Sequence, residues 1–121
     1  MKYIIDLIED VREQIANHEG YTVTAGLLKS AVNDSSKLIY SGEAPLNVYH
    51  VDNIAKELCF EIDGSDTQLT IGELIPSLLI LDMDAMMYAL KMDVNVQYHD
   101  MEIVGFGKND EEKHYILFIK I

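Results

Sequence analysis

A single cysteine, Cys59, in 121 residues cannot close an internal disulfide. No zinc-type spacing of Cys and His stands beside it, so a disulfide scaffold and a zinc module are both excluded and a reducing compartment is the natural setting. No run approaches the roughly 18 apolar residues that a membrane span requires. The opening "MKYIIDLIEDVREQ" breaks its apolar positions with acids within a few residues, unlike the uninterrupted core of a signal peptide. Basic residues are scarce: nine Lys and Arg stand against 21 Asp and Glu, a formal charge of −12. An average surface of that sign repels phosphate, which disfavours direct nucleic-acid binding. A soluble cytoplasmic protein is expected, with no membrane contact.

What is present is a core. Apolar residues make up 49% of the chain and only two residues are proline, a balance far from that of a disordered chain despite the charge. The length suits one domain, 1–121, with one hydrophobic centre. From Tyr3 to Asn17, Ile4, Leu7, Ile8, Val11 and Ile15 share a helical stripe opposite Asp6, Glu9, Asp10, Glu13 and Gln14, and Gly20 suits a left-handed cap after His18. In "TVTAGLLKSAV", Leu27, Leu28, Ala31 and Val32 suggest a second helix, followed by a loop at "NDSSK". "KLIYS" and "LNVYHV", separated by "GEAP", read as a hairpin, and "VDNIAKELCFEI" as a short helix capped by Asp52 feeding a strand through Leu58, Phe60 and Ile62. Toward the C-terminus Val94, Val96 and Tyr98 alternate as a strand. "MEIVGF" and "HYILFIKI" flank the polar turn "GKNDEEK", with Tyr115, Leu117, Ile119 and Ile121 on one face and Lys120 as a charge guarding an edge.

"DGSDTQLTIGEL", residues 63 to 74, resembles a calcium loop running into a helix. With Glu73 as the bidentate ligand at loop position 12, the first ligand falls on Ile62, the third on Gly64, and the obligatory glycine on Thr67. Starting at Asp63 instead puts Leu74 at position 12, which cannot ligate. A capping box needs no metal: Thr70 accepts the N–H of Glu73 and Glu73 reaches back, with Leu69 and Leu74 as a hydrophobic staple. The helix begun at Thr70 contains Pro76, which predicts a kink. In "DMDAMMYALK" the propensities of Ala, Met and Leu favour helix over strand for 84–91.

No catalytic set emerges. His50, Asp52 and Cys59 are close in sequence, but no strained nucleophile turn or oxyanion pattern accompanies them. His99 and Asp100 suit a turn, His18 and His114 the surface, and no paired histidine spacing marks a metal site. "GFGKN" lacks the spacing of a phosphate loop, and its glycines suit a bulge or bend. Met83, Met86, Met87, Met92 and Met101 crowd into nineteen residues, as core filling or as an adaptable contact surface rimmed by Asp82, Asp84 and Asp93. The architecture expected is α+β: two N-terminal helices, a central helix from Thr70, and an antiparallel sheet ending in a C-terminal meander. The function expected is non-catalytic binding of a basic protein through Asp82, Met83, Asp84, Met86, Met87, Met92 and Asp93, in the manner of an immunity protein or a nucleic-acid mimic, with no cofactor or metal. The alternatives are a ligand-binding or enzymatic domain with a cleft between Pro76 and the sheet, using His50, Asp52 or His99, and a homodimeric structural protein.

Overall fold

The computed structural model describes residues 3–12, 20–62, 69–91 and 101–121. Among them, two short helices and six strands run in the order α1 (Ile4–Arg12), β1 (Thr22–Ala31), β2 (Asp34–Asp52), β3 (Glu57–Ile62), α2 (Ile71–Leu79), β4 (Met86–Lys91), β5 (Glu102–Asn109) and β6 (His114–Lys120). The strands form one mixed sheet in the order β4-β3-β2-β1-β6-β5. Pairs β1–β2, β2–β3 and β5–β6 are antiparallel, while β1–β6 and β3–β4 are parallel. The protein is therefore mostly β, and the expected helix-rich α+β arrangement with an all-antiparallel sheet is overturned.

Three segments account for the difference. Residues 22–31, read as a second helix, form β1, hydrogen-bonded on both sides by β2 and β6. Val23 and Ala25 turn inward, and Gly26 lies so close to β6 that an added Cβ would fall 2.6 Å from Ile116 Cγ2. The predicted hairpin at "GEAP" is instead the middle of one 19-residue strand, β2. Gly42, at φ +122, gives a bend that only glycine adopts without strain. The strand pairs with β1 up to Pro45 and with β3 from Leu46 onward, so Pro45 sits where the partners change. Residues 86–91 form β4, not a helix: the helix preference of Met, Ala and Leu is a few tenths of a kcal/mol per residue, too little against a continuous parallel ladder with β3.

Other expectations hold in part. The first helix starts on its stripe, with Ile4, Leu7, Ile8 and Val11 buried, although residues 13–19 lie outside the described set. Asp6 Oδ2 accepts the Tyr3 N–H at 3.2 Å, which secures the first turn. Thr70 caps α2, and the helix continues through Pro76 to Leu79. Asp52 caps a turn instead of a helix, its Oδ1 accepting the N–H groups of Ile54 and Ala55 at 2.9 Å each. The β5–β6 hairpin forms as read, closed by Asn109 Oδ1 accepting from Glu111 and Glu112 at 3.1 Å each, with a bulge before Gly105. Lys120 guards no edge, because β6 lies between β1 and β5. The strand expected at Val94–Tyr98 lies outside the described residues.

The sheet curls until its two outer strands meet. Ala89 on β4 and Met101 just before β5 exchange both backbone hydrogen bonds, 3.0 and 2.7 Å, which closes the sheet edge to edge. All six strands and both helices feed one core, with Phe60, Leu58, Tyr115 and Leu117 from the strands meeting Leu7, Ile71 and Leu74 from the helices. Closure of this kind removes exposed strand edges where it occurs.

Candidate functional site

The chain entry and the α2–β4 connection meet at one end of the barrel. Tyr3 bridges Met86, the N–H of Ile4 donates to Ala85 O at 2.8 Å, and that of Ile5 to Met83 O at 3.2 Å. These bonds press the first turn of α1 against the turn 82–85, itself closed by the Ala85 N–H donating to Asp82 O at 3.0 Å. Because Ile4 points into the core, Ile5 must point out, and it stands beside Tyr3, Met83 and Met86, all four exposed by 41–47%. Tyr3, Ile5, Met83 and Asp84 line a shallow hollow of about 410 Å³.

Carboxylates border it. Asp82 and Asp84 are exposed, and Lys56 Nζ reaches both, at 3.5 Å from Asp82 Oδ2 and 3.4 Å from Asp84 Oδ2. Lys56 is held there by a left-handed backbone, φ 56, and by its carbonyl accepting the Met86 N–H at 2.9 Å. Asp84, then Asp82, holds the ammonium above its ordinary range. Two carboxylates thus share one lysine, leaving the rim negative, and Asp6 on the first turn of α1 accepts the N–H of Tyr3.

Of the residues expected to bind a partner, Asp82, Met83, Asp84 and Met86 are brought together here. Met87 is not: the alternation of β4 turns it inward, 4% exposed, into the core. Met92 and Asp93 lie outside the described residues. Tyr3 and Ile5 escaped the sequence reading, although Ile5 carries a signal, an isoleucine beside the apolar stripe of α1 instead of on it.

Among the described residues the other candidates do not come together as a reactive set. His50 Nε2 lies 3.7 Å from Asp52 Oδ2, but the Asp52 carboxylate serves the backbone N–H groups of Ala55 and Ile54, which hold its pKa below the ordinary range. Cys59, in register with His50, is buried, and its thiol donates to Phe60 O at 3.6 Å; a reactive thiol needs access. His99, Asp100, His18 and the 63–68 part of the calcium-like stretch lie outside the described residues. In the part that is described, Thr70 Oγ1 accepts the Glu73 N–H at 3.2 Å, so the threonine acts as a helix cap. "GFGKN" is strand β5. Among the described residues no group of three or more His, Cys, Asp or Glu is placed to hold a metal ion, and no helix is long and apolar enough to cross a membrane. A smaller hollow of about 220 Å³ lies between β1 and β2, lined by Thr24, Glu43 and Pro45 among others. Its carboxylate is engaged by His114 Nε2 at 3.2 Å and Thr24 Oγ1 at 3.4 Å. Neither hollow is lined by Pro76.

Comparison of the chain with protein-family models, with curated proteins and with solved structures finds no match.

Proposed function

We propose that this chain is a non-catalytic protein-binding module, acting in the cytoplasm, whose hollow at Tyr3, Ile5, Met83 and Asp84 receives an apolar side chain from a basic protein. The observation that carries the reading is the juxtaposition itself: exposed Tyr3, Ile5 and Met83 line a hollow with Asp84, exposed Met86 stands at the bridge to Tyr3, and Asp82 shares Lys56 with Asp84. Contact energy in protein interfaces concentrates in such apolar centres, while a charged border chiefly sets partner choice and association rate. Methionine suits the task because its unbranched side chain adapts to the shape it meets. A basic partner displaces Lys56 from Asp82 and Asp84 and takes over its ion pairs. An immunity protein or a nucleic-acid mimic works on the same principle.

The test is affinity capture from a cell extract with wild-type protein, Met83→Asp and the double variant Asp82→Lys/Asp84→Lys. A basic protein retained by the wild type, lost with Met83→Asp and released by moderate salt is the expected result. Capture that survives both variants, or a captured partner of acidic character, refutes the reading.

A further inference from the structure

The hairpin between β1 and β2 reverses the sign of the chain. Strand β6 ends its pairing at Lys120, opposite Leu28, so residues 29–41 run on past it as a two-stranded ribbon. That ribbon carries Lys29 and Lys37 against a single acid, Asp34, a net charge of +1 in a chain of −12. Asp34 is engaged in the turn, its Oδ1 accepting the Ser36 N–H at 3.0 Å and the Ser36 hydroxyl at 2.6 Å. The register puts Lys29 opposite Ile39, and Lys37 stands two residues before Ile39, so these three share one side of the ribbon while Leu28, Leu38 and Tyr40 occupy the other. Ile39 is 52% exposed. Among the described residues no carboxylate pairs with either lysine.

This side of the ribbon is the counterpart of the acidic hollow. The hollow offers an apolar centre at Tyr3, Ile5 and Met83 and two carboxylates, Asp82 and Asp84, that share the single Lys56. The ribbon offers an exposed isoleucine flanked by two lysines. Within one copy the two stand at opposite ends of β2: its first residues build the ribbon, while its last, Val51 and Asp52, pair with Leu58 and Glu57, which pair in turn with Met87 and Met86 beside the hollow. The contact therefore runs between copies. Two chains of this charge repel at long range, but at physiological salt the screening length is about 8 Å, so the groups that meet across the contact outweigh the distant ones. We infer, resting on the reading of the hollow given above, that the hollow of one copy receives the β1–β2 hairpin of a second copy, Ile39 entering the apolar centre and Lys29 and Lys37 meeting Asp82 and Asp84. Such a contact is heterologous: each bound copy leaves a free ribbon at one end and a free hollow at the other. The hairpin and a basic protein compete for one hollow.

Sedimentation velocity on the purified full chain over a concentration series tests the inference, with Ile39→Asp disabling the ribbon and Met83→Asp the hollow. Wild type is expected to grow past a dimer as concentration rises, and each variant alone to associate at least about tenfold more weakly, a typical loss at an interface centre, with unchanged circular dichroism. Mixed together, the two variants are expected to form a one-to-one complex that grows no further, because the mixture retains one intact ribbon and one intact hollow. Charge reversal gives an independent reading that leaves the apolar centre untouched. Lys29→Glu/Lys37→Glu and Asp82→Lys/Asp84→Lys should each weaken association, and the chain carrying all four changes should recover it. A wild type that stays monomeric at every concentration, self-association that Met83→Asp leaves unchanged, or a mixture of the two apolar variants that fails to associate overturns the inference. The reading of the hollow is decided separately by capture of a basic protein: a monomeric wild type that still captures one through Met83 sinks this inference alone.

Discussion

Thr70 and Glu73 are where the sequence is most easily misread as calcium-binding, and the 3.2 Å bond from the Glu73 N–H to Thr70 Oγ1 gives the threonine a different task. Removing it by Thr70→Ala should cost about 1 kcal/mol, the usual loss of an N-cap, and lower the melting temperature by about 4 °C. Calcium added to the wild type should leave the melting temperature where it was, and a rise with calcium counts against the cap as the whole explanation. The tyrosines set a second prediction. Burial, and then the neighbouring Cys59 and Glu57, raises the Tyr88 pKa, and burial likewise leads the rise for Tyr115 and Tyr40. A raised phenol pKa means that the fold favours the protonated form. The corresponding stability is complete below the ordinary tyrosine value of about 10 and is lost as pH climbs through the folded values. Urea midpoints should therefore fall on going from about pH 9 to about pH 11, with tyrosinate absorbance lagging behind that of the unfolded chain. Coincident titration of the native and unfolded forms contradicts the burial argument.

At the level of elements, legibility followed locality. The first helix, the Thr70 helix and the β5–β6 hairpin were readable because stripe, cap and turn each lie within a few residues of chain. The segments 22–31 and 86–91 were not, because their state is decided by strands distant in sequence: β6 and β2 for the first, β3 for the second. "GEAP" misled for a related reason. Glycine and proline mark turns, yet here Gly42 bends a strand and Pro45 marks the change from one neighbour to the other. Gly26 and Gly105 let this packing be measured. Gly26→Ala brings a Cβ within 2.6 Å of Ile116 and 2.9 Å of Phe118, whereas at Gly105 the nearest atom is 3.6 Å away. The first substitution should cost about 1–3 kcal/mol, the range for overpacking. The second should be neutral or slightly stabilising, since alanine restricts the unfolded chain more than glycine does. Equal urea midpoints for the two variants would show that the ring over Gly26 moves freely aside.

Over the whole molecule the candidate site was half legible, and the pattern of what was missed follows from the closed sheet. Composition located Asp82, Met83, Asp84 and Met86. Met87 was misplaced because the helix expected there offered no reason for neighbouring methionines to face opposite ways, as strand β4 requires. Tyr3 and Ile5 join the hollow only through contacts spanning some eighty residues of chain. The same closure separates the acidic hollow from the β1–β2 hairpin: β4 and α1 bear one, and β1 and β2 the other, with β3 intervening along the sheet in one direction and β5 and β6 in the other. Perturbations at well-separated sites with no shared contacts add, so Met83→Asp and Ile39→Asp should act independently. Each variant should disable only its own surface, and the double variant both, with a change in unfolding free energy equal to the sum of the single changes within about 0.5 kcal/mol. The measurement is a double-mutant cycle read by thermal unfolding, sedimentation and capture in parallel. If Ile39→Asp also abolishes capture of the basic protein, the acidic hollow works only in the assembled chains, and the two surfaces are one device instead of two.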